Sequence, residues 1–189
     1  MDVSYRTTLE LDKIIARAVQ LCTCAETKEM MRAIEPFATT EEERYALAQT
    51  NAINALLLNT LYMTAEQKRP LRQLKAIYEM RTMTQAGYMP GVLACDVCAR
   101  YDGCDFYLDP VAGRLLCADC AAKEHRAPNL DPGALYALRH ICLAEDAKLF
   151  NFTLTDQSQR RLGRVCEQYV AAHLDYQPKS LEFLHGVLE

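Results

Sequence analysis

Long hydrophobic runs are missing from this 189-residue chain. The longest aliphatic run, Ala55-Leu56-Leu57-Leu58, falls far short of the ~20 residues a membrane-spanning helix needs, so no membrane is expected among the partners. No basic start followed by an apolar stretch marks a secretory signal. A Gly-rich phosphate loop, His-Glu-x-x-His and Gly-x-Ser-x-Gly are all absent, which removes the usual signatures of nucleotide, metalloprotease and serine-hydrolase chemistry. The four histidines are scattered singly. Glu41, Glu42 and Glu43 cluster, but acids at the positive end of a helix dipole account for them. With no set of side chains able to act as nucleophile, base and oxyanion donor, neither an enzyme nor a small-molecule substrate is expected. Excess positive charge is also lacking. The formal net charge is -4, and residues 1–90 carry 11 basic and 11 acidic side chains, residues 91–130 carry 4 and 6, and residues 131–189 carry 6 and 8. A strong autonomous nucleic-acid binder would show a basic surplus in some segment, so any such contact has to come from a local patch.

What the chain does have is cysteine, nine in all. Four of them form Cys95-x-x-Cys98 and Cys117-x-x-Cys120, with 18 residues between the pairs. Each pair can clamp one side of a tetrahedral ion, and the spacing is that of a four-thiolate zinc site. An iron–sulfur cluster also takes four thiolates, but the ribbon spacing favours zinc. A dithiol redox pair needs one such motif beside a βαβ unit, which this sequence does not show. The expectation is one structural zinc ion in a closed site with no position left for substrate. Without a secretory signal, a reducing cytoplasm fits better than a disulfide framework. Of the other cysteines, Cys22, Cys142 and Cys166 fall at apolar helical positions and read as core. Cys24 is a further cysteine; Cys104 lies inside the ribbon and is a candidate spare ligand that lacks a paired partner; and His125, which follows the second pair, is a candidate substitute ligand, though its position beside Lys123, Glu124 and Arg126 favours solvent exposure.

The fold expected is mainly α, a helical bundle with an inserted four-cysteine zinc ribbon built on a short β-hairpin. Residues 1–90 read as an N-terminal helical part. Leu11, Ile14, Ile15, Ala18, Val19 and Cys22 recur at helical spacing, and a short helix covers 28–35 before Pro36. Thr40 with Glu43 makes a capping box opening a helix to about Met63, apolar almost all round from Ala52 and so expected to be buried. Pro70 and Gly87 bracket a further helix over 70–86. Residues 91–128 form the ribbon insert, with strands Phe106–Leu108 and Arg114–Leu116 around a turn at 109–113. Residues 129–189 complete the same bundle. Asp131 caps and Pro132 opens a helix to about Leu143, Thr155 or Asp156 caps one whose face carries Leu162, Val165, Cys166, Tyr169, Val170 and Leu174, and Ser180 caps a last helix through Leu188. There are no internal repeats.

Two clusters of positive charge stand out. Lys68, Arg69, Arg72 and Lys75 crowd the start of one helix, and Arg160, Arg161 and Arg164 share the polar side of another. Such runs are ordinarily solvated helix faces. Their functional alternative is phosphate contact with single-stranded nucleic acid or contact with a partner. Tyr101, Phe106 and Tyr107 are candidate stacking aromatics, though packing within the hairpin accounts for them.

The order of signals resembles one family. A helix ends in Gly87-Tyr88-Met89-Pro90, followed by Cys95-Asp96-Val97-Cys98, the strand Phe106-Tyr107-Leu108, then Gly113-Arg114-Leu115-Leu116-Cys117-Ala118-Asp119-Cys120, and far behind them Lys179-Ser180-Leu181-Glu182-Phe183-Leu184. This resembles the C-terminal, helical and zinc-ribbon region of the bacterial recombination mediator RecO from about residue 70 onward. The resemblance implies that Cys95, Cys98, Cys117 and Cys120 hold zinc. It also implies partners: DNA, RecR, and the tail of the single-strand-binding protein. RecO normally begins with an OB-fold, a common platform for single strands. No run of alternating strands precedes the first helix here, so a fragment of a longer protein or a shortened relative is expected. The alternative is a zinc-ribbon nucleic-acid-binding regulator unrelated to repair.

Overall fold

A computed structural model describes residues 35–174 and a few positions on either side of that stretch. The helix expected around Leu11–Cys22 lies outside the described residues; of the one expected over 28–35 the described Glu29, Arg32 and Ala33 are helical, and of the one expected from Ser180 the described Leu181, Glu182, Leu184 and Gly186 are helical. The chain divides into two compact units, residues 1–68 and 69–189.

In the first unit a 3-10 turn at Glu35–Phe37 precedes helix α1, Glu41–Ala65. The capping box is formed. Glu43 N donates to Thr40 Oγ1 at 3.2 Å, and Glu43 Oε2 accepts from Thr40 N at 3.0 Å and Thr39 N at 2.9 Å. These backbone donors, Thr40 first, hold the Glu43 carboxyl below its usual range. α1 ends in a left-handed residue, Gln67 at φ 51°, with Gln67 N bonding Thr64 O and Lys68 N bonding Met63 O. That pair of bonds is a Schellman motif. Burial along α1 is confined to a stripe, Ala48, Asn51, Ala55, Leu56 and Thr60. Leu57, Leu61 and Tyr62 are exposed, Leu61 at 55%. The expectation of all-round burial is therefore corrected: positions three to four apart share one face, and the apolar run is wider than the face that is covered.

The second unit is a set of three mutually packed helices, α2 (Leu71–Gln85), α4 (Pro132–Leu143) and α5 (Asp156–His173), with a small β-hairpin module between α2 and α4. Leu74, Ala76, Ile77 and Met80 of α2 meet a core that includes Leu135, Leu138 and Ile141 of α4 and Leu162, Val165, Cys166 and Tyr169 of α5, all nearly or fully buried. Apolar residues at three- and four-residue steps create these faces, and burial of each large side chain contributes about 1.5–3 kcal/mol. α2 stops at another Schellman motif. Gly87 takes φ 90°, Gly87 N bonds Thr84 O and Tyr88 N bonds Met83 O, a conformation glycine adopts without a Cβ penalty.

α4 begins where the sequence says it should. Asp131 Oδ1 accepts from Ala134 N at 2.7 Å with Pro132 at the first turn. The same carboxylate accepts from Ser158 Oγ at 3.2 Å and faces Arg161 Nε at 3.8 Å, so one residue caps α4 and ties it to α5. Asp131→Ala is expected to cost about 2 kcal/mol, a cap and a cross-helix bond lost together, read as a lower urea midpoint with an unchanged slope.

Candidate metal centre

The hairpin supplies the frame. Strands β1 (Phe106–Leu108) and β2 (Leu115–Cys117) pair antiparallel, Phe106 opposite Cys117 and Leu108 opposite Leu115. The return strand begins one residue later than expected because Arg114 closes the turn, its carbonyl accepting from Asp109 N at 3.0 Å. Within the turn Asp109 Oδ1 accepts from the N–H groups of Val111 and Ala112, the Ala112 bond lowering its pKa most. Gly113 sits at φ 67°, where its carbonyl accepts from Gly91 N at 2.7 Å. β1 has a second neighbour that sequence reading missed. Phe106 bridges Leu130, and the Asn129 side chain bonds both backbone groups of Leu108, at 2.9 and 3.0 Å. An asparagine amide here stands in for a strand's peptide group.

Each cysteine pair sits on a differently built turn. Cys95-Asp96-Val97-Cys98 is a loop closed by Ala99 N to Cys95 O at 2.8 Å and Cys95 N to Arg100 O at 2.9 Å, with Ala99 left-handed at φ 55°. Asp96 N bonds Leu115 O at 2.8 Å and so fastens this turn to β2. Cys117 both ends β2 and caps a six-residue helix α3, Ala118–Lys123. Cys120, three residues on, therefore lies on the same side of a helical turn as Cys117. The sequence reading did not place α3, since the motif was read as a knuckle alone. α3 ends at His125, another left-handed residue (φ 56°) in a Schellman arrangement, with Arg126 N to Ala121 O at 2.9 Å. His125 is exposed and is a helix terminator.

The result is a single cluster. The four sulfurs of Cys95, Cys98, Cys117 and Cys120 lie within 4.8 Å of one another, and Cys98 Sγ is 3.6 Å from Cys117 Sγ. Cys95, Cys117 and Cys120 are buried and Cys98 is exposed. The electrostatics oppose full ionisation of the bare set. Burial works against the Cys95 charge, yet N–H groups of Cys117, Cys98 and Val97 turned on its sulfur bring it down to about 6. Cys120 is pushed up to about 12, chiefly by the Cys117 sulfur. At Cys98 the Arg100 N–H favours the thiolate, but the Cys117 and Cys95 sulfurs outweigh it and its pKa is raised. One thiolate forms easily and its neighbours then resist. A cation inverts that balance, so these four side chains could hold a metal ion. Arg100 crosses between the two turns, donating to Asp119 Oδ2 at 2.6 Å. Cys104, half-buried, lies 3.9 Å from Arg100 Nη1 and is not one of the clustered four. Cys142 and Cys166 are buried elsewhere; burial raises Cys142 to about 11 and Cys166 well above its ordinary value.

The basic residues do not form the two simple patches that their order implies. Lys68, in the first unit, donates to Tyr62 Oη at 2.8 Å and lies over that ring. In the second unit Arg69 Nε donates to Phe150 O at 2.9 Å. Lys75 is largely enclosed between Glu79 (2.6 Å) and Glu167 (2.9 Å); burial works against its charge, but the two carboxylates, Glu79 above all, hold it above its usual range. Arg72 is half-buried. Arg161 pairs with Asp105 at 3.2 Å as well as with Asp131. Arg160 and Arg164 remain exposed on α5, without an ion-pair partner among the described residues. No described helix is long and apolar enough to cross a membrane.

Comparison with known proteins bears on this architecture. The family model "Recombination protein O C terminal" matches residues 52–182, a span that takes in both cysteine pairs and helices α2 to α5. The chain belongs to the RecO C-terminal family. Proteins described as "DNA repair protein RecO" are similar to it. That of Acetivibrio thermocellus is 28% identical over 129 residues, covering 68% of this chain and 51% of the relative. That of Desulfosudis oleivorans is 27% identical over 146 residues, 72% and 56%. That of Symbiobacterium thermophilum is 26% identical over 132 residues, 68% and 52%. The chain thus spans about half the length of the curated RecO relatives it matches. Within the RecO match, the Gly87-Tyr88-Met89-Pro90 lead-in has a physical role: Gly87 ends α2, and the Tyr88 carbonyl accepts from Tyr169 Oη of α5 at 3.0 Å.

Proposed function

We propose that the chain acts as a non-enzymatic recombination-mediator domain in DNA repair, working in the cytoplasm by binding partners, with DNA contact secondary. Its ribbon, residues 91–128, is an insert in one helical bundle formed with segments from 1–90 and 129–189, and is held by one structural zinc ion on Cys95, Cys98, Cys117 and Cys120. The observation that carries the repair assignment is the family match over residues 52–182. Zinc is supported by the donor set. Sulfurs 2.3 Å from a central ion at tetrahedral angles lie about 3.8 Å apart, a spacing compatible with sulfurs that are all within 4.8 Å of one another. The partners proposed are the acidic tail of the single-strand-binding protein, RecR and DNA. No small-molecule substrate is proposed.

A fluorescence-anisotropy titration with the acidic tail peptide tests the partner reading. Saturable binding in the micromolar range is expected, and no binding at high micromolar concentration overturns it. For DNA, Arg160 and Arg164 are the side chains best placed to meet phosphates. Their joint replacement by Glu is expected to weaken single-strand binding similarly for all sequences and to flatten its salt dependence by about one unit of slope per lost contact. Tight, salt-sensitive DNA binding by this chain alone, with no response to the tail peptide, would instead favour a zinc-ribbon nucleic-acid-binding regulator outside repair.

A further inference from the structure

Arg139 is an unusual residue for the inner face of a helix. It lies in the middle of α4, between Leu138 and Ile141 of the core, and only 8% of it is exposed. No carboxylate pairs with it among the described residues. Instead, its guanidinium reaches out of the bundle into the ribbon. Nε donates to Val92 O at 2.8 Å, and Nη2 donates to Leu93 O at 2.8 Å and to Tyr101 O at 2.6 Å. The Tyr101 ring covers the cation, 3.9 Å from the guanidinium carbon to the ring centroid.

Those three carbonyls are placed to a purpose. Val92 and Leu93 lie just before Cys95, and Tyr101 lies just after Cys98. One side chain therefore grips both ends of the loop that presents the first pair of sulfurs. Its other ties are its own closing bonds from Ala99 N to Cys95 O and from Cys95 N to Arg100 O, Asp96 N to Leu115 O, Gly91 N to Gly113 O just before it, and the Arg100–Asp119 pair; none of these joins it to helix α4. The charge is the second observation. A buried cation with no anionic partner is costly, and carbonyl dipoles with a ring face offset only part of that cost. Four thiolates around one divalent ion leave the centre doubly negative. A dianionic centre on the loop that Arg139 grips would add an attraction of opposite charges to those contacts.

We propose that Arg139 is a positioning residue for the metal centre. It holds the Cys95–Cys98 loop in the shape that presents its two sulfurs before the ion binds, thereby linking the ion to helix α4. This rests on the reading that the four cysteines bind a metal. Partners of this kind, which orient the ligands without touching the ion, typically change affinity by 10–100-fold when removed.

The test uses the full 189-residue chain in four forms: wild type, R139M, R139K and L162A. Leu162 is fully buried on α5, so L162A destabilises the bundle without touching the loop. Zinc affinity is measured by competition with a chromophoric chelator, and the thiolate-to-metal band of the Co2+ form reports ligand geometry. The expected result is roughly 10–100-fold weaker zinc binding by R139M with an altered Co2+ band. Partial recovery is expected in R139K, which keeps the charge but not the directed fork of donors, and wild-type affinity in L162A. Unchanged affinity in R139M overturns the proposal, and so does an equal loss in L162A, which would make general stability the cause. If R139M does not fold, R139K decides: affinity below wild type supports the role and equal affinity overturns it. A wild-type chain that takes up neither zinc nor cobalt removes the metal reading itself and the proposal with it.

Discussion

Replacing Cys117 by serine is expected to unfold the ribbon and to lower the melting temperature of the protein by about 15–20 °C. Cys117 is fully buried, ends β2, caps α3 and is one of the four clustered sulfurs. Its loss removes one of the four sulfurs proposed to hold zinc and leaves a hydroxyl in its place. Structural zinc contributes on the order of 10 kcal/mol of apparent binding free energy in small zinc peptides. Forfeiting about half of that in a unit of this size corresponds to the stated shift. The specific signature is the response to chelator. Thermal melts followed by circular dichroism should show that chelation brings the wild type down to the level of C117S and adds nothing to C117S itself. A wild type indifferent to chelator, or a C117S variant that still responds to it as the wild type does, contradicts this expectation.

The second large effect is expected at Phe106. Its side chain is fully buried, its residue is paired directly opposite Cys117, and its backbone forms the bridge to Leu130. With Leu108, Leu115 and Leu116, all fully buried, it makes an apolar floor beneath a module too small to have a core of its own. Phe106→Ala removes an aromatic ring from a site that strands on one side and the 129–130 segment on the other prevent from collapsing, which costs about 3–5 kcal/mol. Because Phe106 lies across from Cys117, one of the proposed zinc ligands, the same change should speed metal release at a fixed chelator concentration. Phe106→Leu, which keeps most of the volume, should lose less than half as much stability. A Phe106→Ala midpoint within about 1 kcal/mol of wild type would mean that the hairpin is not anchored through this ring.

The parts of the fold that were legible in the sequence share one property: their determinants are close together in the chain. The capping box at Thr40 and Glu43, the Asp131-Pro132 start of α4, the Thr155 cap of α5 and the Gly87 stop of α2 all act within a turn, and the structure places each where expected. The cysteine pairs were legible for a related reason. Metal-ligand geometry constrains the spacing within a pair tightly, whatever separates the pairs. The β-hairpin followed, shifted by one residue at its return strand.

What escaped was set by partners far along the chain. Lys75 looked like part of an exposed basic cluster, but it meets Glu167 from α5, 92 residues away. Arg161 looked like one of three equivalent arginines, yet it turns back to Asp105 and Asp131 while Arg160 and Arg164 stay exposed. Arg139, in an apolar helix, carried no local signal, because the carbonyls that explain it lie 38 to 47 residues earlier. Asn129 mimics a strand only because β1 happens to lie beside it. α1 was read as buried all round because composition gives the number of apolar residues, not the width of the surface that covers them. α3 was too short to declare itself beside a stronger motif.

The repair assignment and the metal assignment stand on different supports, and the metal centre is the claim on which the structural account turns. It is tested most directly by metal content and thiol reactivity in the same sample. Protein purified without chelator should contain one zinc ion per chain, and chelation should release that ion together with four thiols that had not reacted before. No bound zinc, with the thiols of Cys95, Cys98, Cys117 and Cys120 reacting at the same rate whether or not chelator is present, would contradict it.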